Sequence, residues 1–380
     1  MPIRIAVPHE TTEGERRVAL IPSVAEQLSK QGVEVRIQAG AGCAAYYRDR
    51  DYTSAEIVED RAALLGEADI VLTVNPLVPE DVALLREGTI VIGFLHPHEF
   101  DDRICALRDR KITGFAMELI PRISRAQNMD ALSSQASIGG YKAALMAANL
   151  TARFFPMLTT AAGTIRPAKV LVIGVGVAGL QAIATSKRLG AMVEAYDVRP
   201  ETREQVESLG ANFVDVKVNA VGEGGYAREL SAEEKQQEME ILARHVAKAD
   251  AIISTAAVPG RPAPRIITTA MVEKMNPGSV IIDLAAYSGG NCELTIPGES
   301  FGHELVMIYG PLNVPGMMPV HASEMYAKNL FNFLSLIVRD GEINPDWDDE
   351  IVADSVLTRA GQIQHGLTCE RVEGSKGDPS

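Results

Sequence analysis

Cysteine is scarce in this chain, and the few cysteines are scattered. Cys43, Cys105, Cys292 and Cys369 lie far apart and form no Cys-x-x-Cys pair. Closely spaced cysteines are the usual sequence signal of a zinc site, and cysteine-dense small domains are typical of secreted proteins held by disulfides. We therefore predict neither a metal site nor a structural disulfide, and we expect the chain to work in the reducing cytoplasm.

The chain also lacks an excess of basic residues. Its 36 Lys and Arg are outnumbered by 50 Asp and Glu, which gives a net charge of −14. Nucleic acids and anionic lipid surfaces both bind basic protein surface, so this balance argues against either as a direct partner. Long apolar runs are missing too, and the N-terminus has no basic segment followed by an apolar one. We predict no signal peptide and no membrane helix in this sequence.

The 380 residues are too many for one core and suit two domains. Short apolar runs rich in β-branched residues alternate with helical patterns, as in buried parallel sheets. This alternation predicts an α/β fold of two doubly wound, Rossmann-like parallel-sheet domains with an interdomain cleft. The predicted strands are 3–7, 33–38, 70–74, 90–94 and 112–117 in the first domain, and 170–173, 193–196, 251–255, 279–284 and 305–309 in the second.

The predicted domain boundaries follow a polar loop and two helices. A long helix is expected over 138–155, closed by Pro156, and an amphipathic helix over 323–338 is expected to cross back to the first domain. The first domain then spans 1–135 plus about 321–380 and has no glycine fingerprint. The second, about 136–320, is predicted to bind NAD(H).

A glycine-rich turn carries the clearest chemical signal. Gly174, Gly176 and Gly179 form a G-x-G-x-x-G pattern between the predicted strand 170–173 and a helix. In dinucleotide-binding turns the first glycine makes the tight turn, the second lets backbone approach pyrophosphate, and the third lets helix and strand pack closely. The phosphates then lie at the positive end of the helix. The alternative is a glycine-rich turn that binds nothing.

An acidic residue after the next strand predicts which dinucleotide binds. Asp197 follows Gly179 by 18 residues, and a carboxylate at this point accepts hydrogen bonds from the adenosine ribose and repels a 2′-phosphate. NAD is therefore favoured over NADP. Arg199 leaves two interpretations open, since it could accommodate a phosphate or pair with Asp197.

A polar loop precedes the long helix. It crowds together Arg122, Arg125, Gln127, Asp130, Ser133, Ser134 and Gln135. A glutamine amide can donate to and accept from the nicotinamide carboxamide, and an arginine can reach pyrophosphate or pair with Asp130. The loop offers no evident general acid or base, so it suits hydride transfer without proton transfer. The alternative is a solvated hinge that caps the next helix.

Two weaker signals remain. Glycines flank Tyr226 in the stretch 222–226, which suits a lid over a bound cofactor or an ordinary surface excursion. His96 and His98 have no acidic or cysteine ligand at matching spacing, so no metal site is predicted there.

These segments together resemble a known family. The stretches MELIPRISRAQNMDALSSQ, MLTTAAGTIRPAKVLVIGVGVAGLQAIATSKRLGA, GGYARE and SVIIDLAAYSGGNCELTIPGE are similar to the NAD(H)-binding domain I, or alpha subunit, of proton-translocating NAD(P) transhydrogenases. The similarity covers essentially the whole chain. It implies direct hydride transfer, of the Si-to-Re-specific type, between NAD(H) bound here and NADP(H) on a partner subunit. A membrane subunit couples this exchange to proton translocation.

The resemblance also implies partners and site residues. It implies a homodimer that acts with an NADP-binding subunit and a membrane proton-channel subunit, as a soluble cytoplasmic subunit associated peripherally with the inner membrane through them. The family's loop residues correspond to Arg122, Gln127, Asp130 and Ser133, which we assign to catalysis, and its mobile-loop tyrosine to Tyr226. The cofactor contacts are predicted to be Gly174, Gly176, Val177, Ala178, Gly179, Asp197, Val198, Arg199, Gly225, Tyr226 and Ala257.

Alanine dehydrogenase, a relative by fold, supplies the alternative function. That family pairs a catalytic lysine with a histidine and holds the substrate carboxylate on an arginine. Arg17 and His96 match two of these positions, but Thr73 stands where the lysine is expected. Oxidative deamination must move protons, so the missing amine weighs against it. A catalytically silent NAD-binding regulatory subunit is a third interpretation.

Overall fold

The computed structural model describes residues 2–215, 232–257, 260–339 and 341–374. The chain divides into two compact units. Unit 1 is formed by Met1–Gln135 and Pro315–Ser380, and unit 2 by Ala136–Val314. Among the residues that the structure describes, none of the helices combines the length and the apolar character that a bilayer span requires.

The first segment of unit 1 alternates strands and short helices. It comprises β1 (Arg4–Val7), α1 (Pro22–Lys30), β2 (Glu34–Gln38), β3 (Glu56–Val58), α2 (Arg61–Gly66), β4 (Ile70–Leu72), α3 (Pro79–Leu84), β5 (Ile90–Gly93), α4 (Asp101–Asp109) and β6 (Thr113–Ala116). A 3₁₀ turn, Ser124–Met129, then leads into α5 (Ala131–Leu150), which continues into unit 2.

Unit 2 follows the same alternation. It comprises β7 (Leu158–Thr160), β8 (Gly163–Ile165), β9 (Lys169–Ile173), α6 (Val177–Arg188), β10 (Met192–Tyr196), α7 (Arg203–Ser208), β11 (Asn212–Phe213), α8 (Ala232–Lys248), β12 (Ala251–Ser254), α9 (Thr269–Val272), β13 (Val280–Asp283), β14 (Ser300–His303) and β15 (Val306–Tyr309).

The C-terminal segment returns to unit 1. It comprises α10 (Pro319–Ile337), β16 (Val338–Arg339), β17 (Glu342–Ile343), α11 (Glu350–Ser355), β18 (Val356–Arg359), β19 (Gln362–Ile363) and α12 (Gly366–Gly374). Proline at the first turn of α10 suits a helix start, because its missing N–H would have no partner there.

Each unit contains one large twisted sheet. In unit 1 the strand order is β19-β18-β6-β5-β4-β1-β2-β3; β1 to β6 are parallel, β18 pairs antiparallel with β6, and β19 pairs antiparallel with β18. In unit 2 the order is β11-β10-β9-β12-β13-β15-β14, parallel except for β14. The predicted doubly wound, two-domain α/β architecture is confirmed.

Both sheets are covered on both faces, which explains their continuous apolar strands. In β9 the side chains of Val170 and Val172 pack into one core cluster, and those of Leu171 and Ile173 into another. Successive side chains of a strand point to opposite faces, so a strand buried on both faces has no polar position. The ten predicted strands are all found, with ends shifted by one or two residues.

The predicted start of the long helix was wrong. It begins at Ala131 and ends at Leu150, and was expected over 138–155. The reason is local: the Asp130 carboxylate accepts hydrogen bonds from the Ser133 backbone N–H (2.8 Å) and from its hydroxyl (2.6 Å). This is the arrangement of a helix N-cap. Ser133, Ser134 and Gln135 are therefore the third to fifth residues of α5 and do not belong to the loop.

Candidate cofactor site

The glycine turn lies where strand order reverses in unit 2. The chain goes from β9 outward through β10 and β11, then returns to place β12 on the other side of β9. Ligands of open α/β sheets bind beyond the carboxyl ends of the strands at this kind of switch point. The turn after β9 and the segment Thr255–Ala257 after β12 both lie there.

The three glycines of the turn meet different constraints. Gly174 has φ +89°, a conformation that favours glycine, and a Cβ there would lie 2.9 Å from the Ala256 nitrogen. A Cβ on Gly179 would lie 1.9 Å from the Gly174 carbonyl oxygen, whereas Gly176 faces open space. The first and third glycines are thus required by packing, and the second leaves room for a ligand to approach the backbone.

The N-terminus of α6 fits an anionic group. Gly176 is its N-cap residue and has no side chain to accept from the first backbone N–H groups, so an external acceptor can fill that role. Val177 and Ala178 are the first residues of the helix; Val177 is exposed and Ala178 is half-buried. A pyrophosphate would meet both the backbone N–H groups and the positive end of the helix dipole.

A further glycine, which sequence reasoning missed, fixes this helix start. Gly140 lies in α5, and a Cβ there would be 2.0 Å from the Ala178 carbonyl oxygen. Gly139, its neighbour in the helix, would meet nothing within 4 Å. Only the absence of a side chain at Gly140 lets α5 approach the first turn of α6 this closely.

Asp197 lies beside the turn with its acceptor positions occupied. Its Oδ2 accepts from the Val175 N–H (2.7 Å), and its Oδ1 from the Arg199 N–H (2.9 Å). The Arg199 side chain donates to both oxygens, at 2.9 Å and 3.0 Å. Of the two interpretations of Arg199, the structure therefore has the one in which it pairs with Asp197.

This pair determines the charge of the site. Burial raises the pKa of the Asp197 carboxyl, but the hydrogen bonds from Arg199 and Val175 outweigh that effect, and its net pKa is lowered. Asp197 is thus ionised near neutral pH. The Arg199 side chain is 53% exposed, so it can leave Asp197 at small cost when a ribose diol approaches.

The remaining predicted cofactor residues divide into two groups. Val198 is 77% exposed and so presents an apolar side chain beside Asp197. Ala257 is exposed and follows β12. Gly225 and Tyr226, together with the rest of the predicted 222–226 lid, lie outside the described residues.

A buried amide that the sequence did not reveal holds the segment after β12. The Asn291 Oδ1 accepts from the Ser254 hydroxyl (2.6 Å) and the Ala256 N–H (3.0 Å), and its Nδ2 donates to the Ala256 carbonyl (2.7 Å). The Thr255 hydroxyl donates to the Gly174 carbonyl at 2.9 Å. Asn291 therefore fixes the loop that borders the glycine turn. A lone asparagine in a glycine-rich stretch gave no distinct signal.

The polar loop belongs to unit 1 and forms the 3₁₀ turn Ser124–Met129. Ala126 and Met129 are buried in the core of this unit, whereas Arg122 and Gln127 are exposed. The apolar residues therefore anchor the loop, and its arginine and amide side chains face solvent.

Two charged residues of the loop, Asp130 and Arg125, already have partners within unit 1. Asp130 and Ser133 bond to each other at the start of α5. The proposed Arg–Asp130 pair is not found: Arg125 instead forms a two-pronged ion pair with Asp349, at 2.7 Å and 2.9 Å. Because Asp130 is committed to the helix N-terminus, it is poorly suited to act as a general base.

The positions predicted from the resemblance to alanine dehydrogenase, Arg17, Thr73 and His96, also lie in unit 1. The Arg17 guanidinium is 7% exposed, donates to both oxygens of Glu15 (2.9 Å and 2.7 Å), and donates to the Gln135 Oε1 (3.0 Å). The Thr73 hydroxyl is buried and has no hydrogen-bond partner among the described residues. Thr73 cannot replace an amine, and Arg17 is already paired with a carboxylate.

His96 and Glu10 are two further titratable residues of unit 1 whose pKa values are shifted. Burial lowers the pKa of His96, but the Glu99 and Glu118 carboxylates outweigh it and the net pKa is raised. Burial raises the pKa of Glu10 to about 7, against hydrogen bonds from the Val74 and Asn75 N–H groups. Within the described ranges no three His, Cys, Asp or Glu side chains are grouped to hold a metal.

Both halves of the chain match known families. Residues 6–139 match the family described as "Alanine dehydrogenase/PNT, N-terminal domain", and residues 143–366 match "Alanine dehydrogenase/PNT, C-terminal domain". A protein of Rhodospirillum rubrum, named as the first portion of NAD(P) transhydrogenase subunit alpha, is 47% identical over 376 residues, covering 96% of this chain and 98% of that protein.

Solved structures agree with these matches. A crystal structure of transhydrogenase from Sinorhizobium meliloti has a TM-score of 0.84 at 40% identity, covering 96% of this chain and 99% of that one. A structure of L-alanine dehydrogenase has a TM-score of 0.81 at 25% identity, with 98% and 99% covered. The fold is common to both enzymes, whereas the sequence identity is higher to the transhydrogenase.

Proposed function

The chain belongs to the alanine dehydrogenase/PNT family, and from this premise we propose that it is the NAD(H)-binding subunit of a proton-translocating NAD(P) transhydrogenase. One observation carries the proposal. A glycine turn beside an ionised Asp197 occurs together with a loop whose only carboxylate, Asp130, is taken up by a helix N-cap. Such a chain can bind NAD(H) and present its nicotinamide without supplying a general acid or base.

The reaction we propose is direct hydride transfer, of the Si-to-Re-specific type, between two nicotinamide rings. NAD(H) supplies the hydride or accepts it. The role of this chain is to hold the ring in near-attack geometry, with reacting atoms about 3–3.5 Å apart, and to exclude water. No side chain gains or loses a proton in that step.

Each predicted site residue receives a role in this proposal. The Gly174–Gly179 turn and the first N–H groups of α6, at Val177 and Ala178, bind the pyrophosphate. Asp197 binds the adenosine ribose, with Arg199 displaced from it. Val198 and Ala257 offer apolar surface to the adenosine.

The loop residues contact the nicotinamide end of the cofactor. Gln127 binds the carboxamide, and Arg122 binds a phosphate. Both side chains are exposed and are therefore accessible to a ligand. Asp130 and Ser133 fix the loop to α5. By resemblance, Gly225 and Tyr226 add contacts to bound NAD(H). The domain assignment, 1–135 with about 321–380 and about 136–320 for NAD(H), belongs to the same proposal.

We also propose a homodimer. The hairpin of β7 and β8 pairs only with itself among the described strands, and a two-stranded hairpin alone is marginally stable in water. The hairpin and the segment before it carry exposed apolar side chains: Phe154 (54%), Met157 (65%) and Ile165 (45%). A second copy of the chain would cover them. Light scattering should then give about twice the 40.8 kDa protomer mass, and a monomer would contradict the homodimer.

The other partners are an NADP(H)-binding subunit and a membrane subunit that conducts protons. The R. rubrum relative is named as a portion of one subunit, which implies that it works with further subunits. Docking of the NADP-binding subunit must be reversible for turnover, so a small, polar interface is expected. The chain would then be cytoplasmic and associated peripherally with the inner membrane through these partners.

Amino-acid dehydrogenation is the second candidate function, because the fold is shared with alanine dehydrogenase. Thr73 argues against it, since a hydroxyl cannot form or protonate an imine as an amine does. The test uses two assays on one preparation. The chain with NAD and alanine should reduce no NAD, whereas the chain with its NADP-loaded partner should oxidise NADH. Alanine-dependent NADH formation without a partner would overturn the proposal.

A further inference from the structure

Helix α10 carries a polar residue on its buried face. Its core-facing side chains include Tyr326, Leu330 and Phe333, and between them lies Asn329, which is 7% exposed. A buried amide is stable only when its donors and acceptor are hydrogen-bonded. The partners of Asn329 therefore indicate what this residue is for.

Asn329 links the polar loop to the first turn of α5. Its Nδ2 donates to the Asn128 carbonyl at 2.9 Å, and its Oδ1 accepts from the Ser134 hydroxyl at 2.8 Å. Asn332, one turn further along α10, donates to the same Asn128 carbonyl at 3.1 Å. The Asn128–Met129 peptide, one peptide beyond the one that follows Gln127, is thus held by two amides from one helix.

The hydrogen bonds that Asn329 makes are continued from Ser134 to a buried ion pair. Gln135 Nε2 donates to the Ser134 hydroxyl (3.3 Å), and Arg17 donates to Gln135 Oε1 (3.0 Å). Arg17 is itself fixed by Glu15. The chain of hydrogen bonds therefore runs from the core of unit 1 to Asn128, and it restrains the backbone of the loop relative to that core.

The loop needs such support because its own backbone is weakly constrained. It is a 3₁₀ turn, in which hydrogen-bond geometry is poorer than in an α-helix. Ala126 and Met129 anchor the apolar side of the loop, but neither side chain can donate a hydrogen bond to the Asn128 carbonyl. Asn329 and Asn332 of α10 donate to that carbonyl directly.

We propose that Asn329 is a positioning residue for hydride transfer, which acts by fixing the Asn128 carbonyl and so the direction of the Gln127 side chain. The inference deepens the proposed function and rests on it. The pyrophosphate and ribose contacts lie elsewhere, in unit 2. Loss of the Asn329 bond should therefore slow hydride transfer more than it weakens NADH binding.

The test variant is Asn329→Asp. It keeps the size of the side chain and the acceptor for Ser134, but it replaces the donor to the Asn128 carbonyl by an oxygen. With an NADP-loaded partner, single-turnover hydride transfer should fall about tenfold or more, while the NADH dissociation constant changes by less than about threefold. Asn332→Ala is the matched control. It removes the longer, more exposed bond to the same carbonyl and should have a much smaller effect.

A double-mutant cycle separates positioning from general destabilisation. If Asn329 acts through Gln127, the rate losses of Asn329→Asp and Gln127→Asn should not add, because both substitutions would disturb the same contact with the nicotinamide ring. Additive losses, or parallel losses of rate and NADH affinity, would overturn the proposal. If Asn329→Asp does not fold, Ser134→Ala removes the other contact of the amide and is subjected to the same cycle.

Failure of the proposed function gives a different result. In that case the unmodified chain transfers no hydride to partner-bound NADP. Amide hydrogen exchange over 127–130 then tests the positioning alone, with Asn329→Asp compared with the unmodified chain. Faster exchange confined to this loop supports the proposal, and unchanged exchange contradicts it.

Discussion

Replacing Asp197 by asparagine should reverse the cofactor preference of the isolated chain. Asp197→Asn keeps an oxygen for the Val175 N–H, whereas Asp197→Ala would orphan that buried donor. The variant therefore changes charge without collapsing the turn. Loss of a charged hydrogen bond to the ribose costs roughly 1.5–3 kcal/mol. NADH binding should weaken by roughly tenfold to 150-fold.

NADPH binding should improve in the same variant for two reasons. A carboxylate about 4 Å from the 2′-phosphate repels it by roughly 1–4 kcal/mol at partly solvated positions, and this repulsion disappears. Arg199, which donates to both oxygens of Asp197 in the unmodified chain, is also released and can pair with the phosphate. The double variant Asp197→Asn/Arg199→Ala should lose the part of this gain that comes from Arg199 and keep the part that comes from the removed repulsion.

Arg199→Ala alone provides the control for the pair. NADH must displace an exposed ion pair worth about 0–1 kcal/mol, so removing Arg199 should tighten NADH binding by at most about fivefold. Calorimetric titration of all variants with NADH and NADPH at one fixed ionic strength measures both preferences. The reasoning is refuted if the unmodified chain binds both cofactors equally, or if Asp197→Asn leaves NADH affinity unchanged.

Three further predictions concern the loop, the helix packing and a buried acid. Gln127→Asn should slow hydride transfer by roughly tenfold to a hundredfold in single-turnover assays while the NADH dissociation constant changes little; proportional losses of both would contradict a ring-positioning role. Gly140→Ala should lower the free energy of unfolding by about 1–3 kcal/mol, because its Cβ meets the Ala178 carbonyl, whereas Gly139→Ala should be neutral or stabilising by up to about 1 kcal/mol; equal urea midpoints would refute this. Folded Glu10 holds its proton up to about pH 7 against an ordinary pKa of 4.5, so its contribution to stability is complete below pH 4.5 and lost as pH rises through 7. Glu10→Gln should therefore flatten the fall in stability between pH 5 and 8, by at most roughly 3 kcal/mol, and an unchanged urea-midpoint profile would contradict the assignment.

Most of the strands that the sequence predicted are buried on both faces, whereas β2 alternates half-buried polar and buried apolar residues. Runs such as Val170–Ile173 have no polar position and stand out at once. The strands it missed are short or lie at sheet edges. β18 and β19 carry Thr358, Arg359 and Gln362 and pair antiparallel at the edge of the unit 1 sheet. An edge strand of two to four residues leaves little pattern to detect.

The start of α5 was predictable in principle. Asp130 followed three residues later by Ser133 fits a helix N-cap, but the polar run was interpreted as loop because its side chains were expected to face a ligand. Asn329 was also visible as one polar residue on the apolar face of α10. The Asp130 bonds are local to the helix start, whereas the partners of Asn329 are supplied only by the tertiary structure.

Other contacts could not be derived from local sequence. Gly140 looks like any helical glycine until Ala178, far along the chain, is placed against it. The choice of Arg199 between a phosphate and Asp197 depends on the side-chain direction, which spacing does not give. Asn291 likewise acquires its role only because the segment that follows β13 lies beside the segment that follows β12.

The central claim is that this chain passes a hydride and moves no proton with it. The most direct test uses NADH deuterated at C4 on the transferred face, the chain, and its NADP-loaded partner in ordinary water. Mass spectrometry of the product should find one deuterium in each NADPH formed. No NADPH should form when the chain is omitted. NADPH that carries hydrogen from the solvent would contradict the account, because it would require an exchangeable proton carrier in the site.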